Sequence, residues 1–281
     1  MHKNLCISKI REWTSVTHMG YIDIHAHIVP GVDDGSKSNR ESVEMLKQAY
    51  AEGITTVIAT PHYSKGFQDY ETEDIKKYCK ALEKHAKKHI CPEFQVFAGQ
   101  EIFYSERSLE MIQNGEVISL AGSNYILLEF APEITYTLLF QALREIAMTP
   151  YYPVLAHVER YSCLREQDRI EEIRALGVML QMNYSHVGGK WFDADTKWCR
   201  QMLKQGYVDI LSTDMHNSTD RGPRMEAAVK WMKKRLDETY LDRIMRINAQ
   251  EILGIREAKD FEMKSIKEQV IEKLKEEQNE Q

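Results

Sequence analysis

Residues 21–38 read YIDIHAHIVPGVDDGSKS, from Tyr21 to Ser38. The first seven are a strand that ends in Asp23-Ile24-His25-Ala26-His27. Residues two apart on a strand point the same way, so His25 and His27 present two imidazoles side by side, as a metal ion needs. The following turn, Val32-Asp33-Asp34-Gly35, puts carboxylates just beyond them. Ser38 and Glu41 then form a capping box that opens a helix over 38–52.

The same unit recurs outward from this stretch. Further strands are expected over 55–59, 94–98, 125–130, 153–157, 178–182 and 207–212. Helices are expected over 72–89, 105–113, 134–147, 167–176, 196–205 and 224–235, with Gly177 and Gly206 stopping two of them. Strand–helix alternation repeated seven times, with no break in composition, implies one α/β domain with a parallel sheet and helices outside. Seven units either close as a barrel or wind as an open sheet; periodicity does not decide between the two.

The strand ends carry the chemistry. After His25 and His27 come Thr60-Pro61-His62, Gly99-Gln100-Glu101, Leu128-Glu129, His157-Val158-Glu159-Arg160, Asn183-Tyr184-Ser185-His186 and Thr213-Asp214-Met215-His216. A barrel enzyme builds its site at that face from the ends of different strands. Any one of these residues alone reads more simply as a hydrogen-bonded group at the edge of the core. Repeated at seven strand ends they form a pattern, and burying so many ionisable groups without a cation would be costly. His25, His27, Asp34, His62, Glu101, Glu129, His157, Asp214 and His216 are the candidate ligands. All are nitrogen or oxygen donors, which favours manganese, iron, zinc or magnesium over a thiolate site. With three or four protein ligands per ion and a bridging carboxylate, the set suits about three ions.

Bulk properties narrow the classes further. A net charge of −6 over 281 residues argues against an electrostatic nucleic-acid binder. The five cysteines are scattered, with no C-x-x-C pair, as in a reducing compartment. There is no apolar run of membrane-spanning length, and the first 20 residues lack the apolar segment of a signal peptide, so the expected location is cytoplasmic with no direct membrane insertion. Met263, Ile266, Val270 and Leu274 form an apolar stripe that makes 258–281 a helix candidate. Oligomeric state stays open.

At the quoted residues the chain resembles the polymerase-and-histidinol-phosphatase (PHP) superfamily. Within it, the similarity is to manganese-dependent protein-tyrosine phosphatases of bacterial capsule and exopolysaccharide clusters. The similar stretches also include 53–62, 99–102, 125–130, 154–161 (with H-V-E-R), 181–187 and 212–217 (with S-T-D-M-H). The resemblance implies a distorted (β/α)7 TIM-like barrel over 21–254, with the metal site at the C-terminal ends of the strands. It implies a poorly ordered extension over 1–20, with Met19 an alternative start, and a C-terminal helix over 255–281, packed on the barrel or partly free. By the same resemblance one ion takes His25, His27, Glu101 and Asp214, a second shares Glu101 with Glu129 and His157, and a third uses Asp34, His62 and His216. Arg160 and Arg221 resemble the family's phosphate-binding arginines. The implied substrate is a phosphotyrosyl protein, a membrane-associated tyrosine kinase of polysaccharide export.

Other readings stand beside this one. A PHP phosphatase of a small monoester such as histidinol phosphate uses the same fold, and a non-catalytic metal-binding regulator would share the ligands. Arg160 could instead form a surface ion pair with Glu159 or Glu166. His62 and Asp214 are both conceivable general acids. Cys163 and Arg169 match the C-x5-R spacing of cysteine-dependent phosphatases, but the intervening Leu-Arg-Glu-Gln-Asp has no glycine and carries two carboxylates, so the match reads as chance. Asn183 and His186 are open between supporting a ligand and ordinary loop bonding. Tyr63, Tyr104, Tyr161 and Tyr184 are open between lining an aromatic pocket and scattered placement.

Overall fold

Strand and helix alternate in the computed structural model much as the periodicity requires, over the residues it describes: 20–63, 70–166 and 168–255. The N-terminal extension and the C-terminal helix candidate lie outside these residues. β1 (Tyr21–Ala26) leads to α1 (Asn39–Ala51) and β2 (Ile54–Ala59). After β3 (His62–Tyr63), α2 (Thr72–His89) and β4 (Gln95–Ala98) follow β5 (Glu101–Phe103), α3 (Ser108–Gln113) and β6 (Tyr125–Glu129). Next are α4 (Tyr136–Ala147), β7 (Tyr152–Leu155), α5 (Arg169–Ala175) and β8 (Met179–Asn183). The chain continues through the short α6 (Tyr184–Val187), α7 (Ala194–Lys204), β9 (Ile210–Ser212), α8 (Glu226–Lys233), α9 (Glu238–Asp242) and α10 (Asn248–Ile252).

Every strand pairing is parallel, in two ladders: β1-β2-β4 and β3-β5-β6-β7-β8-β9. The second and third expected strands form as β2 and β4, and each is followed by a further short strand, β3 and β5, that the periodicity did not mark. Pro61, which has no N–H for a ladder, separates β2 from β3, and Gly99-Gln100 separates β4 from β5. The chain remains joined across the breaks, because Thr60 N–H donates to Ala26 O at 2.8 Å and Gly99 N–H to Ala59 O at 2.8 Å. The sheet curls until its first and last strands meet. Asp214 N–H donates to His25 O at 3.0 Å, and His27 N–H to Met215 O at 2.9 Å.

The two faces of the curled sheet differ. Ile126, Leu128, Leu180, Met182 and Leu211 pack outward with the helices. The opposite parity forms a smaller inner cluster that includes Tyr125, Leu127, Val154, Met179 and Ile210. Followed towards the C-terminal end, those inner rows turn polar: Leu127 gives way to Glu129, Met179 to Gln181 and Asn183, and Ile210 to Ser212 and Asp214. The apolar half is closed by Ala249 and Ile252 of α10, with the Tyr125 hydroxyl bonded to Glu251 at 2.5 Å. A plugged bottom and a polar top are what a barrel-type site requires.

Local chemistry sets the joints. Gly177 and Gly206 follow their helices with φ of 77° and 73°, the left-handed C-cap expected of them. Gly35 is needed for a different reason, since a Cβ there would meet His27 O at 2.3 Å and His27 Cβ at 2.4 Å. The capping box at α1 is only half realised. Ser38 Oγ accepts from Glu41 N–H at 3.2 Å, but the Glu41 carboxylate accepts from Lys37 N–H at 2.9 Å rather than from Ser38. Four other expected helices begin two or three residues late, as at α4, where Thr135 serves as the cap. Ser38→Ala should cost about 1 kcal/mol and lower the melting temperature by about 2–4 °C in calorimetry.

Candidate metal centre

Side chains at or just past the ends of β1, β3, β6, β7, β8 and β9, with one from the start of β5, converge at the polar top. Glu101, at the start of β5 and fully buried, is the hub. Its Oε2 lies 3.2 Å from His25 Nε2, 3.2 Å from His27 Nε2 and 3.0 Å from His62 Nδ1, and its Oε1 lies 2.8 Å from His157 Nε2. Glu129, ending β6, is 3.2 Å from His157 Nε2 and 3.5 Å from His62 Nδ1. Asp214 Oδ1 is 3.4 Å from His25 Nε2 and 3.5 Å from His27 Nε2. Asp34 Oδ1 is 3.4 Å from the Nε2 atoms of both His62 and His216. All nine sequence candidates therefore meet in one connected cluster. Within it, three groups hold their ligand atoms within 4.8 Å of one another: His27, Asp34, His62 and His216; His25, His27 and Asp214; and His62, Glu101 and Glu129.

The backbone is bent to allow this. His157 and Asp214 sit just past β7 and β9 in the left-handed region, at φ of 32° and 52°. Such conformations cost on the order of 1–3 kcal/mol each and persist only when their surroundings enforce them. Three imidazoles have one nitrogen already committed. His27 Nδ1 lies 2.7 Å from Asp33 Oδ2, His216 Nδ1 lies 2.9 Å from Asp214 O, and His25 Nδ1 lies 3.0 Å from Gln181 Oε1. Each oxygen is an acceptor, so Nδ1 carries a hydrogen and Nε2 is the nitrogen turned inward.

The electrostatics are those of a cluster of opposed charges. Burial would lower the His157 pKa, but its contacts with Glu101 and Glu129 outweigh that and push it up to about 9. His27 and His62 are raised against burial in the same way by neighbouring carboxylates. Burial would raise Glu101 and Asp214, but the imidazoles around them hold both well below the usual carboxylate range. His216 moves the other way, to about 4, through burial and the facing His27. Asp214 Oδ2 accepts from Asn183, Arg160 and Arg221.

Both arginines singled out from the sequence reach this cluster. Arg160 puts Nη1 3.1 Å from Glu129 and Nη2 3.0 Å from Asp214, and Arg221 puts Nη2 3.1 Å from Asp214. The surface pairing of Arg160 with Glu159 or Glu166 is not what forms: Glu166 pairs with Arg169 at 2.6 Å, and Glu159 pairs with His186 at 3.1 Å. Cys163 lacks the surroundings of a phosphatase nucleophile. Burial raises its thiol pKa, and Arg169 donates to the Cys163 carbonyl at 2.7 Å instead of framing an anion loop. Tyr161 and Tyr184 are fully buried core residues rather than pocket lining, while Tyr104 stacks on Phe130 at 4.9 Å.

Three supporting residues are not singled out as ligands by the sequence. Asp33 is the partner of His27, so the two aspartates of the turn divide the work: Asp34 faces His62 and His216, while Asp33 holds His27 and accepts from His62 N–H at 3.0 Å. Asp23 accepts from Thr213 N–H at 3.1 Å and Thr213 Oγ1 at 2.5 Å, fixing the turn that carries Asp214. Gln181 ties His25 to the His157 backbone. The D-x-H-x-H spacing pointed at Asp23; nothing in the sequence distinguished Asp33 from Asp34.

A divalent cation fits these residues. Glu101 Oε2 is buried and within 3.2 Å of three imidazole nitrogens, yet makes no hydrogen bond to any of them. His25 Nε2 and His27 Nε2 face each other at 3.2 Å. Converging lone pairs from imidazole and carboxylate are a donor set for a hard or borderline divalent ion.

Known proteins resemble this chain over most of its length. The model of the family described as "Capsular polysaccharide synthesis, CpsB/CapC" matches residues 21–254. The tyrosine-protein phosphatase CpsB of Streptococcus pneumoniae is 32% identical over 237 residues, covering 80% of this chain and 97% of that protein. The tyrosine-protein phosphatase YwqE of Bacillus subtilis is 28% identical over 215 residues, covering 76% and 84%. In three dimensions the chain matches a structure from a study of YwqE and S. pneumoniae CpsB, described as unique metal-dependent tyrosine phosphatases. The TM-score is 0.76 at 26% identity, covering 84% of this chain and 95% of that one. Histidinol phosphate phosphatase of Lactococcus lactis shares the fold at a TM-score of 0.52 and 14% identity, covering 77% and 94%.

The charge cluster should make stability fall with rising pH when metal is absent and not when it is bound. A group with a raised pKa stabilises below its unfolded value and loses that contribution as pH rises through the folded one. For His157 the window is pH 6.5 to about 9, and His27 and His62 add to it. His216 acts only below that window. Chelated protein should therefore melt at progressively lower temperature from pH 6.5 to 9. Protein loaded with a divalent metal should not, because its ligand imidazoles must already be neutral. Parallel thermal scans with and without chelator check this, and two parallel curves would contradict it.

Proposed function

We propose that this chain, which belongs to the CpsB/CapC capsular polysaccharide synthesis family, is a metal-dependent protein-tyrosine phosphatase. The observation that carries the reading is the convergence of nine nitrogen and oxygen donors beside two arginines that both reach Asp214. We read the curled sheet as a distorted (β/α)7 barrel, counting β2 with β3 and β4 with β5, and residues 21–254 as the catalytic unit. About three ions, manganese by preference, would divide the ligands as follows: His25, His27, Glu101 and Asp214; Glu101, Glu129 and His157; Asp34, His62 and His216. The distances follow this division in part: His25, His27 and Asp214 group together, Asp34, His62 and His216 group with His27, and His157 lies 2.8 Å from Glu101 and 3.2 Å from Glu129, while His62 also groups with Glu101 and Glu129.

When bound, divalent cations supply Lewis-acid charge for a dianionic ester and activation of its attacking water. The protein's own residues do the rest. Arg160 and Arg221, half-exposed at the rim, can release Asp214 to fork onto phosphoryl oxygens, a geometry that suits guanidinium better than ammonium. The Asp33 and Gln181 contacts keep the His27 and His25 lone pairs inward. A tyrosine phenolate, with a pKa of about 10, leaves without strong protonation. That relaxes the need for a general acid, a role no residue here is assigned.

The substrate we favour is the tyrosine-phosphorylated segment of a membrane-associated kinase of polysaccharide export, met from the cytoplasm. No helix among the described residues is long and apolar enough to cross a membrane. The test is hydrolysis of a phosphotyrosyl peptide with added manganese, compared with histidinol phosphate. His157→Ala should abolish turnover and release metal, and Cys163→Ser should keep full activity. Arg160→Ala should keep its metal and lose about 10²-fold in kcat/KM. Unchanged kinetics in Arg160→Ala would remove its role, and a preference for histidinol phosphate would replace the reading.

A further inference from the structure

Two buried amides, Gln181 and Asn183, lie between the candidate ligands without belonging to them. Gln181 Oε1 accepts from His157 N–H at 2.8 Å. A backbone N–H can only donate, so this bond fixes which end of the Gln181 amide is oxygen. The same oxygen lies 3.0 Å from His25 Nδ1, which must therefore carry a hydrogen and leave Nε2 facing His27, Glu101 and Asp214. The other end, Gln181 Nε2, donates to Asn183 Oδ1 at 2.8 Å. That orients the second amide in turn, and Asn183 Nδ2 donates to Asp214 Oδ2 at 2.9 Å.

We infer that Gln181 and Asn183 are positioning residues, a relay with a single hydrogen-bond polarity that turns His25 Nε2 inward and holds the Asp214 carboxylate in place before metal binds. This rests on the metal-dependent reading above. One backbone N–H thus sets the polarity of a chain that reaches the ring of His25 and the Asp214 Oδ2 that Arg160 and Arg221 also contact. The direction cannot be reversed piecemeal. Flipping Asn183 alone would set its oxygen against Asp214 Oδ2, and flipping Gln181 alone would set its NH2 against His157 N–H. Supporting partners of this kind act on metal affinity and ligand orientation rather than on bulk stability.

Near-isosteric variants test this without emptying the core. In Gln181→Glu the acceptor for His25 and His157 survives, but an oxygen now meets Asn183 Oδ1. In Asn183→Asp an oxygen meets Asp214 Oδ2. Each variant, and Asn183→Ala, is titrated with manganese. The readouts are bound equivalents by elemental analysis and the metal-induced rise in melting temperature, with the chelated protein's melting temperature as control. The expected result is about 10–100-fold weaker affinity for at least one equivalent in Gln181→Glu and Asn183→Asp, beyond any change in the chelated protein. Wild-type affinity in both variants overturns the relay. So does a fall in melting temperature that is equal with and without metal, which would mark the amides as packing only. A wild type that binds no manganese overturns the metal-dependent reading itself, and the relay with it.

Discussion

Everything at the top of this fold depends on how Glu101 is compensated. A fully buried carboxylate left alone would cost several kcal/mol, about what breaking a buried ion pair costs. Here four imidazoles, from His25, His27, His62 and His157, stand within 3.2 Å of its two oxygens. They come from three different strand regions, so the compensation exists only when the sheet has curled far enough to bring β1, β3 and β7 around β5. The seam bonds between the His25–His27 backbone and the Asp214–Met215 backbone complete that curl. Fold closure and site assembly are one event, and the bottom of the sheet, plugged by Ala249 and Ile252, is free to be simply apolar.

The division between what the sequence discloses and what it hides follows from range. Period-two alternation and a short apolar run locate a strand end, and a His or carboxylate at that end is visible in one dimension; all nine ligand candidates were found that way. The breaks between β2 and β3 and between β4 and β5 left only faint marks, a Pro61 and a Gly99, because their cause is a change of pairing partner across the sheet. Asp33 and Asp34 are adjacent and chemically identical. Only the fold shows that one faces His27 Nδ1 and the other faces His62 and His216. Arg160 shows the same limit, since its near neighbours in sequence suggested Glu159 or Glu166, whereas its partners lie 31 and 54 positions away.

The capping box at Ser38 shows how tertiary context redirects a local motif. The pattern correctly marks the start of α1, yet Glu41 turns to Lys37 N–H on the loop that leads out of the Asp33-Asp34-Gly35 turn. That loop is held against His27 by Ser36 N–H on His27 O at 2.9 Å and by the close approach of Gly35. The helix start therefore braces the turn that delivers Asp34.

Strain and charge at the centre point the same way. Two non-glycine residues in the left-handed region, His157 and Asp214, are ligand candidates, and both are held by side chains from elsewhere: Gln181 for one, Asn183 and Asp23 through Thr213 for the other. A chain selected for stability alone would relax these backbones and replace the buried acids with apolar side chains, as it does in the lower half of the same inward rows. That Leu127 is followed by Glu129, and Ile210 by Ser212 and Asp214, along one continuous face means the polarity belongs to the upper end and not to the strands. Departures from local rules that cluster at one end of a fold, each braced by its own partner, are the physical signature of a site under functional constraint.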